Sequence, residues 1–222
     1  MVKDGIFYAL AFTAAGGVVG YIAGPWFGLP LYIVAAFCAY FFRDPDRLTP
    51  AGDFAVSPAD GKVIAIVKEN AKETRVTIFL NVFDVHVNRT PISGVISNIT
   101  YQKGLFLVAS RPDASMRNEQ NAITVQGDGT RVVFKQIAGL IARRIVCDKK
   151  VGDVVQAGER IGLIKFGSRV DVIFGPEWLV EAKTGTRVVA GESILARRGD
   201  RGQTVLVDHA PLEVEEGLLC QT

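Results

Sequence analysis

The chain has 222 residues, of which 49% are hydrophobic and 22% charged, and its formal net charge is +2. This length suits one well-buried domain with an appendage better than two full domains. The balanced charge, without a long run of Lys or Arg, argues against nucleic acid as a partner. The three cysteines, Cys38, Cys147 and Cys220, are widely spaced and form no C-x-x-C pair. This spacing argues against a disulfide framework and against a metal site of the zinc type, and it favours a reducing compartment.

The apolar excess is concentrated at the N-terminus, where two runs, residues 5–23 and 26–42, flank the turn-forming pair Gly24-Pro25. Each run approaches the roughly 20 residues that span a bilayer. A secretory signal would have one shorter apolar region followed by a polar start, so removal of this segment is not expected. Residues 1–42 are therefore predicted to form a helical membrane hairpin. Because the second run is short, a buried hairpin of a soluble fold and a shallow re-entrant insertion remain as alternatives.

The charges at the two ends of this hairpin indicate its orientation. Lys3 precedes the first run, Arg43 and Arg47 follow the second, and the turn between the runs carries no charge. The preference of cytoplasmic segments for positive charge places both ends of the hairpin in the cytoplasm. The remaining domain, residues 43–222, is expected on the cytoplasmic side of the cell membrane, where its substrates would be those found at the lipid surface.

After residue 42, short runs rich in Val and Ile alternate with Gly, Asp and Pro, a pattern typical of strands joined by turns. The predicted strands are residues 62–67, 75–80, 95–101, 122–126 and 131–136. No long amphipathic helix interrupts them, so the fold class is mainly β, with a compact sandwich-like or barrel-like body. Residues 150–162 resemble the turn-and-strand pattern of biotinyl and lipoyl carrier domains, but no lysine occupies the hairpin position that such carriers modify.

One short segment could react with its own backbone. Gly167-Ser168 lies between two strand-like runs, where a serine hydroxyl can attack the preceding carbonyl if the backbone bends, and glycine permits that bend. Elimination from the resulting ester would leave a pyruvoyl group, whose ketone accepts electrons as pyridoxal phosphate does. Gly-Ser pairs are also common in ordinary turns, so this interpretation depends on the rest of the sequence.

Five segments give the chain a resemblance to a known family. In chain order they are residues 41–47 (FFRDPDR), 57–63 (SPADGKV), 84–91 (DVHVNRTP), 118–121 (NEQN) and 166–169 (FGSR). Together they resemble the short, archaeal-type form of the phosphatidylserine decarboxylase family over nearly the whole chain. The resemblance implies a lyase zymogen of phospholipid biosynthesis. Its reaction would convert phosphatidylserine, or the ether analogue archaetidylserine, to the ethanolamine phospholipid and CO2, without a metal.

The resemblance also implies how the cofactor arises. Self-cleavage between Gly167 and Ser168 would turn Ser168 into a covalent pyruvoyl group. The products would be a larger chain of residues 1–167 and a smaller chain of residues 168–222. The expected assembly is a heterodimer of these two fragments, or a higher oligomer of it, that binds an aminophospholipid at the membrane.

His86 is the histidine that the family pattern selects. His209, the other histidine of the chain, lies in a polar tail and is predicted to be solvated. An imidazole can accept a proton from serine near neutral pH. Asp60 matches the acid of the family's Asp-His-Ser arrangement and is expected to orient His86, although Ala-Asp-Gly is also an ordinary turn sequence.

The sequence departs from longer bacterial members of the family at Arg89, where those proteins carry a second histidine. Either His86 serves in both processing and decarboxylation, or Arg89 and water take over one of these steps. Arg89, Arg117 and Arg169 are candidate contacts for a substrate phosphate or carboxylate, which a guanidinium can bind through two hydrogen bonds. An ordinary salt bridge is the alternative for each arginine.

Two other functions are compatible with the same features. One is a membrane-tethered, carrier-like β-sandwich that acts as a scaffold without catalysis, and this function predicts an uncleaved chain. The other is a pyruvoyl-dependent decarboxylase of a soluble amine, for which the N-terminal hairpin would have no catalytic reason.

Overall fold

The computed structural model describes residues 1–107, 117–139, 144–165 and 168–199. Gly167 and His209 therefore lie outside the described residues. The described part begins with two helices, α1 (Lys3–Ala23) and α2 (Pro25–Phe41), and continues with strands. The strands are β1 (Phe54–Val56), β2 (Gly61–Lys68), β3 (Thr74–Leu80), β4 (Val87–Arg89), β5 (Gly94–Gln102), β6 (Gln120–Gly127), β7 (Thr130–Ile137), β8 (Ile145–Cys147), β9 (Val154–Val155), β10 (Arg160–Ile164), β11 (Ser168–Phe174), β12 (Trp178–Val180), β13 (Arg187–Val188) and β14 (Ile194–Arg198).

The two helices form the predicted hairpin. Gly24, with φ of 108°, makes the turn, and Pro25 opens α2 at a position where its missing N–H is not needed. The helices approach closely at two glycines, because a Cβ on Gly28 would lie 2.5 Å from the carbonyl oxygen of Gly16. Many large apolar side chains of the hairpin point outward. α1 is long and apolar enough to cross a membrane, and α2 is a shorter apolar helix.

The strands of the described residues form three antiparallel sheets. The largest has eight strands in the order β13-β2-β3-β11-β7-β6-β5-β9, and the two smaller sheets have the orders β1-β14-β12 and β4-β10-β8. The predicted mainly β fold is confirmed, and each of the five predicted strands is present within two residues of its expected bounds. The likeness of residues 150–162 to carrier domains stays a prediction.

β11 lies inside the largest sheet, between β3 and β7. Its inward residues Val170, Val172 and Phe174 are fully buried, as is Ile78 on β3. Burying such a side chain contributes about 1.5–3 kcal/mol relative to leaving it in water. The strand that begins at Ser168 is thus hydrogen-bonded to a neighbouring strand on each side, and its inward side chains pack in the core.

We expect Ile78→Ala to lower the free energy of unfolding by about 2–5 kcal/mol, because the site lies between Val63 and Val170 and a cavity would remain. The matched control is Val67→Ala on β2, whose side chain is 42% exposed and whose loss should change stability by less than about 0.5 kcal/mol. Urea denaturation of both variants in detergent measures the difference. Equal effects of the two substitutions would contradict the position of the core.

Candidate active site

Ser168 begins β11 with its hydroxyl buried. Its Cα lies opposite that of Leu80 on β3. The residue is fully buried, and its Oγ has no hydrogen-bond partner among the residues that the structure describes. Leaving a buried hydroxyl unsatisfied costs about 1–3 kcal/mol, so such a group calls for a functional explanation.

His86 lies between β3 and β4 with its ring buried. Its Nδ1 is 2.9 Å from the carbonyl oxygen of Asp84. Because a carbonyl oxygen can only accept, Nδ1 carries the hydrogen and the neutral ring has its lone pair on Nε2. Nε2 is also buried and has no hydrogen-bond partner within the described ranges. The site therefore contains a proton-accepting nitrogen that is shielded from water.

Burial is the main influence on the charge of His86. It lowers the pKa of the ring from 6.5 to about 4, because the imidazolium would lose its hydration. The hydrogen bond to the Asp84 carbonyl and the charge of Asp84 oppose this effect, while the charge of Arg43 adds to it. Part of the burial comes from Phe41 at the end of α2, whose ring centroid lies 4.3 Å from that of His86. His86 is therefore neutral at pH 7 and can act as a base.

Strand pairing brings His86 and Ser168 to the same part of the fold. The carbonyl of His86 accepts a hydrogen bond from the backbone N–H of Ile164, the last residue of β10, at 3.3 Å. Only residues 165–167 separate Ile164 from Ser168. Ser168 in turn lies opposite Leu80, at the end of β3 from which the chain continues to His86. The pairing of β3 with β11 and the contact of β10 with His86 therefore bring the two residues to the same part of the fold.

The structure places Asp60 differently from the expectation. Its carboxylate accepts hydrogen bonds from Arg47 at 2.9 Å and from the backbone N–H of Ala190 at 2.7 Å. The expected hydrogen bond from Asp60 to His86 is not formed, because Nδ1 donates to the Asp84 carbonyl and Nε2 has no partner in the described structure. A guanidinium and a backbone amide bind a carboxylate more strongly than a neutral imidazole does.

Arg89 is buried and its guanidinium is engaged by the protein. Nη1 donates to the carbonyl of Gly158 at 2.9 Å, and Nη2 donates to the carboxylate of Asp44 at 3.1 Å and the carbonyl of Pro45 at 3.0 Å. Burial lowers the pKa of Arg89, and the neighbouring charge of Arg160 adds to this effect, whereas Asp44 opposes it. These contacts support the salt-bridge alternative for Arg89.

The other two candidate arginines differ from each other in exposure. Arg169 is buried on β11, where its Nε donates to Asp171 at 2.7 Å and its Nη2 to Thr77 at 3.1 Å. Arg117 is exposed and borders residues 108–116, which lie outside the described residues. Of the three candidates, only Arg117 presents its side chain to solvent.

A chain of buried amides joins three of the family-like segments, and the sequence did not reveal it. Gln136 on β7 donates to Oδ1 of Asn88 at 3.0 Å, and its own Oε1 accepts from Asn121 at 3.0 Å. Nδ2 of Asn88 points to the carbonyl of Pro58 at 3.5 Å, a long contact. One signal was available: Gln136 continues the inward-facing alternation of Val132 and Phe134, a place where a polar residue needs a partner.

The root of the hairpin, where Val2 and Phe42 pack with Leu163 of the body, also touches this region. Lys165, three residues before Ser168, is buried and forms an ion pair with Asp4 of α1 at 2.7 Å. Its Nζ also lies 5.8 Å from the ring centroid of Phe42. With Phe41 on His86, the hairpin root contacts both the histidine and the segment leading to the serine. Sequence reasoning missed both contacts, since nothing in an apolar run marks the residue that meets the site.

Together these features define a β-sheet enzyme with a buried serine and a neutral histidine at the root of an apolar hairpin. The chain belongs to the phosphatidylserine decarboxylase family, a family of carboxy-lyases, whose family model matches residues 34–196. It is also similar to a phosphatidylserine decarboxylase proenzyme from Solibacter usitatus (strain Ellin6076). The two are 64% identical over 201 residues, which cover 90% of this chain and 98% of that protein. The family resemblance of the sequence is therefore confirmed.

Removal of the Phe41 ring should raise the pKa of His86 from about 4 toward its ordinary value, because water would reach one face of the imidazole. NMR of histidine-labelled protein in detergent, in a His209→Gln background, measures this pKa in Phe41→Ala. The control is Phe37→Ala, which removes a ring 5.9 Å from Phe41 in the same cluster and should shift the pKa less. A wild-type pKa near 6.5, or equal shifts in both variants, would contradict burial by Phe41.

Proposed function

We propose that this chain is the proenzyme of a phosphatidylserine decarboxylase that cleaves itself between Gly167 and Ser168. Its covalent pyruvoyl cofactor would be made from Ser168. The observation that carries the proposal is a pair of buried atoms without hydrogen-bond partners among the described residues, Ser168 Oγ and His86 Nε2. Strand pairing brings their residues to the same part of the fold. The name of the Solibacter relative, which is a decarboxylase proenzyme, supports the same assignment.

Cleavage requires that the serine lose its proton as it attacks. Nε2 of neutral His86 accepts the proton from Oγ of Ser168, and Oγ bonds to the carbonyl carbon of residue 167. The C–N bond then breaks, the proton passes to the amine, and an ester replaces the amide. Elimination from the ester releases residues 1–167 with a terminal carboxylate and leaves dehydroalanine at residue 168. Hydrolysis of its imine form releases ammonia and yields the pyruvoyl group.

His86 is the proposed base for both processing and decarboxylation. Arg89 stands where longer relatives have a second histidine, but a guanidinium does not give up its proton in proteins and so cannot serve as a base. Its hydrogen bonds to Asp44, Pro45 and Gly158 favour a structural role. Once formed, the pyruvoyl ketone supplies the electron sink that removal of CO2 from an amino acid head group requires.

Asp60 is proposed to act on the site indirectly. Its bonds to Arg47 and Ala190 hold the turn that contains Pro58, and the carbonyl of Pro58 accepts from the backbone N–H of Arg89 at 2.9 Å. The turn is thereby tied to β4, the strand that follows His86. Arg117 is the remaining candidate for contact with a substrate anion, because Arg169 already bonds to Asp171 and Thr77.

The position of β11 explains how the product could stay together after cleavage. The smaller chain, residues 168–222, would begin with a strand that pairs with β3 on one side and β7 on the other, both from the larger chain. A heterodimer of the fragments therefore needs no covalent link. The division into a hairpin of residues 1–42 and a catalytic domain of residues 43–222 follows the same proposal.

A phospholipid is the proposed substrate because the apolar hairpin meets the body beside His86 and Lys165. An active site at the root of a membrane hairpin lies where the head groups of lipids are found. The cytoplasmic side of the cell membrane is proposed from the positive residues at both hairpin ends. Assays with diacyl and ether-linked serine lipids would identify the lipid backbone that the enzyme accepts.

We expect Ser168→Ala to abolish both self-cleavage and decarboxylation, because no hydroxyl remains to form the ester. A denaturing gel with intact-mass measurement should show two fragments for the wild type, the smaller beginning at residue 168 and blocked to Edman degradation. The variant should give one chain. The control Ser97→Ala removes an exposed hydroxyl on β5 and should be cleaved normally. An active wild-type enzyme consisting of one uncleaved chain would contradict the proposal.

A further inference from the structure

The loop between β3 and β4 presents an exposed phenylalanine next to the hairpin root. Phe83 is 67% exposed, whereas the following residue, Asp84, is buried. The loop is held in shape by Asn81, whose Oδ1 accepts from the backbone N–H of Phe83 at 2.7 Å and whose own N–H donates to Asp84 at 2.9 Å. A single exposed aromatic residue is common on protein surfaces, so its surroundings decide whether it has a role.

The backbone of Phe83 is bound to the end of the hairpin. Its carbonyl accepts hydrogen bonds from Nη2 of Arg43 at 2.7 Å and from the hydroxyl of Tyr40 at 3.3 Å. The guanidinium of Arg43 also lies 3.9 Å from the centroid of the Tyr40 ring. Phe83 therefore lies beside the C-terminal end of α2 and next to Arg43, the first charged residue after the hairpin.

In a hairpin that spans a bilayer, this end of α2 lies at the bilayer surface. Residues 5–42 carry no charge, and the 21 residues of α1 span about 31 Å, close to the hydrocarbon thickness of about 30 Å. Lys3, Asp4 and Arg43 all lie at the body end of the hairpin. Tyrosine and arginine are frequent where the hydrocarbon region ends. A bilayer around the hairpin thus has its head groups at Tyr40 and Arg43, and hence at Phe83.

The charges around the loop favour lipids with negative head groups. Arg43 binds the Phe83 carbonyl, and Arg187, which is 62% exposed, forms an ion pair with Asp84. Arg187 neutralises the carboxylate that would otherwise repel an anionic surface. Basic residues near such a surface are attracted to it.

We propose that the loop of residues 81–86 is a second membrane contact, in which Phe83 enters the head-group region of an anionic bilayer beside the hairpin. This inference rests on the proposed function, since His86 ends the same loop. This contact holds His86 at a fixed distance from the lipid surface. The serine head group of a lipid in the bilayer then meets the site without leaving the membrane.

Quenching of tryptophan fluorescence by brominated lipids tests this contact in the full chain. The Phe83→Trp substitution is made in a Trp26→Phe background, which removes the indole of the hairpin and leaves the buried Trp178 as a constant signal. The matched control is Val67→Trp in the same background. Val67 is 42% exposed and pairs with Arg75, at the opposite end of β2 and β3 from the loop.

In vesicles of brominated phosphatidylcholine with phosphatidylglycerol, we expect the Phe83→Trp signal to be quenched severalfold more than the Val67→Trp signal. Quenching should weaken when phosphatidylglycerol is left out. Equal quenching of the two variants would overturn the membrane contact, and equal quenching with and without phosphatidylglycerol would overturn the preference for anionic lipid. Cleavage of the wild type is measured in parallel, so failure of the loop inference is distinguished from failure of self-cleavage.

Discussion

His86 is held between the hairpin and the β-sheet body, with Phe41 against its ring and the Asp84 carbonyl accepting its Nδ1–H. This packing excludes water, so the ring is neutral at pH 7 and its free lone pair is on Nε2. The same packing attaches the hairpin to the body. The protonation state of the proposed base and the proposed placement of the site at the membrane therefore depend on one contact.

Ion pairs join the same parts of the molecule. Asp44, in the segment after the hairpin, binds Arg89 on β4 and Arg160 on β10. Asp4 at the start of α1 binds Lys165. Of these pairs, Arg89 with Asp44 is largely buried, and removing one member of a buried pair leaves an uncompensated charge, which is far more costly than the pair itself is stabilising. These side chains hold the hairpin, the segment after it and the sheets together. Because Arg89 is engaged in this way, it is a poor candidate for substrate contact.

Much of the fold could be predicted because its signals are local. Two apolar runs around Gly24-Pro25 predicted the hairpin, and Val- and Ile-rich runs between turn residues predicted β2, β3, β5, β6 and β7. The candidate serine and histidine came from the family resemblance, since Gly-Ser and a single histidine carry little information alone. Their burial and their missing partners became visible only in the structure.

What the sequence did not reveal involves partners that are distant along the chain. Asp60 was expected to orient His86, and this role stays a prediction. The sequence did not show that the register of β13 brings the N–H of Ala190 to the Asp60 carboxylate, or that Arg47 also binds it. The group that orients His86 is a main-chain carbonyl, which every residue has and no sequence pattern marks. The Asp4–Lys165 pair joins residues 161 positions apart and depends on how the hairpin docks.

The pH dependence of self-cleavage tests the role of a neutral, buried His86 most directly. The rate is measured on newly translated chain in lipid vesicles between pH 4 and 8. Asp84 and Arg43 are the charged groups that influence the His86 ring, and the pKa of the ring is about 4. Because only the neutral ring accepts a proton, we expect the rate to rise up to about pH 5 and to stay constant above it. A rate that rises through pH 6.5, or that keeps increasing toward pH 8, would show that another group accepts the serine proton.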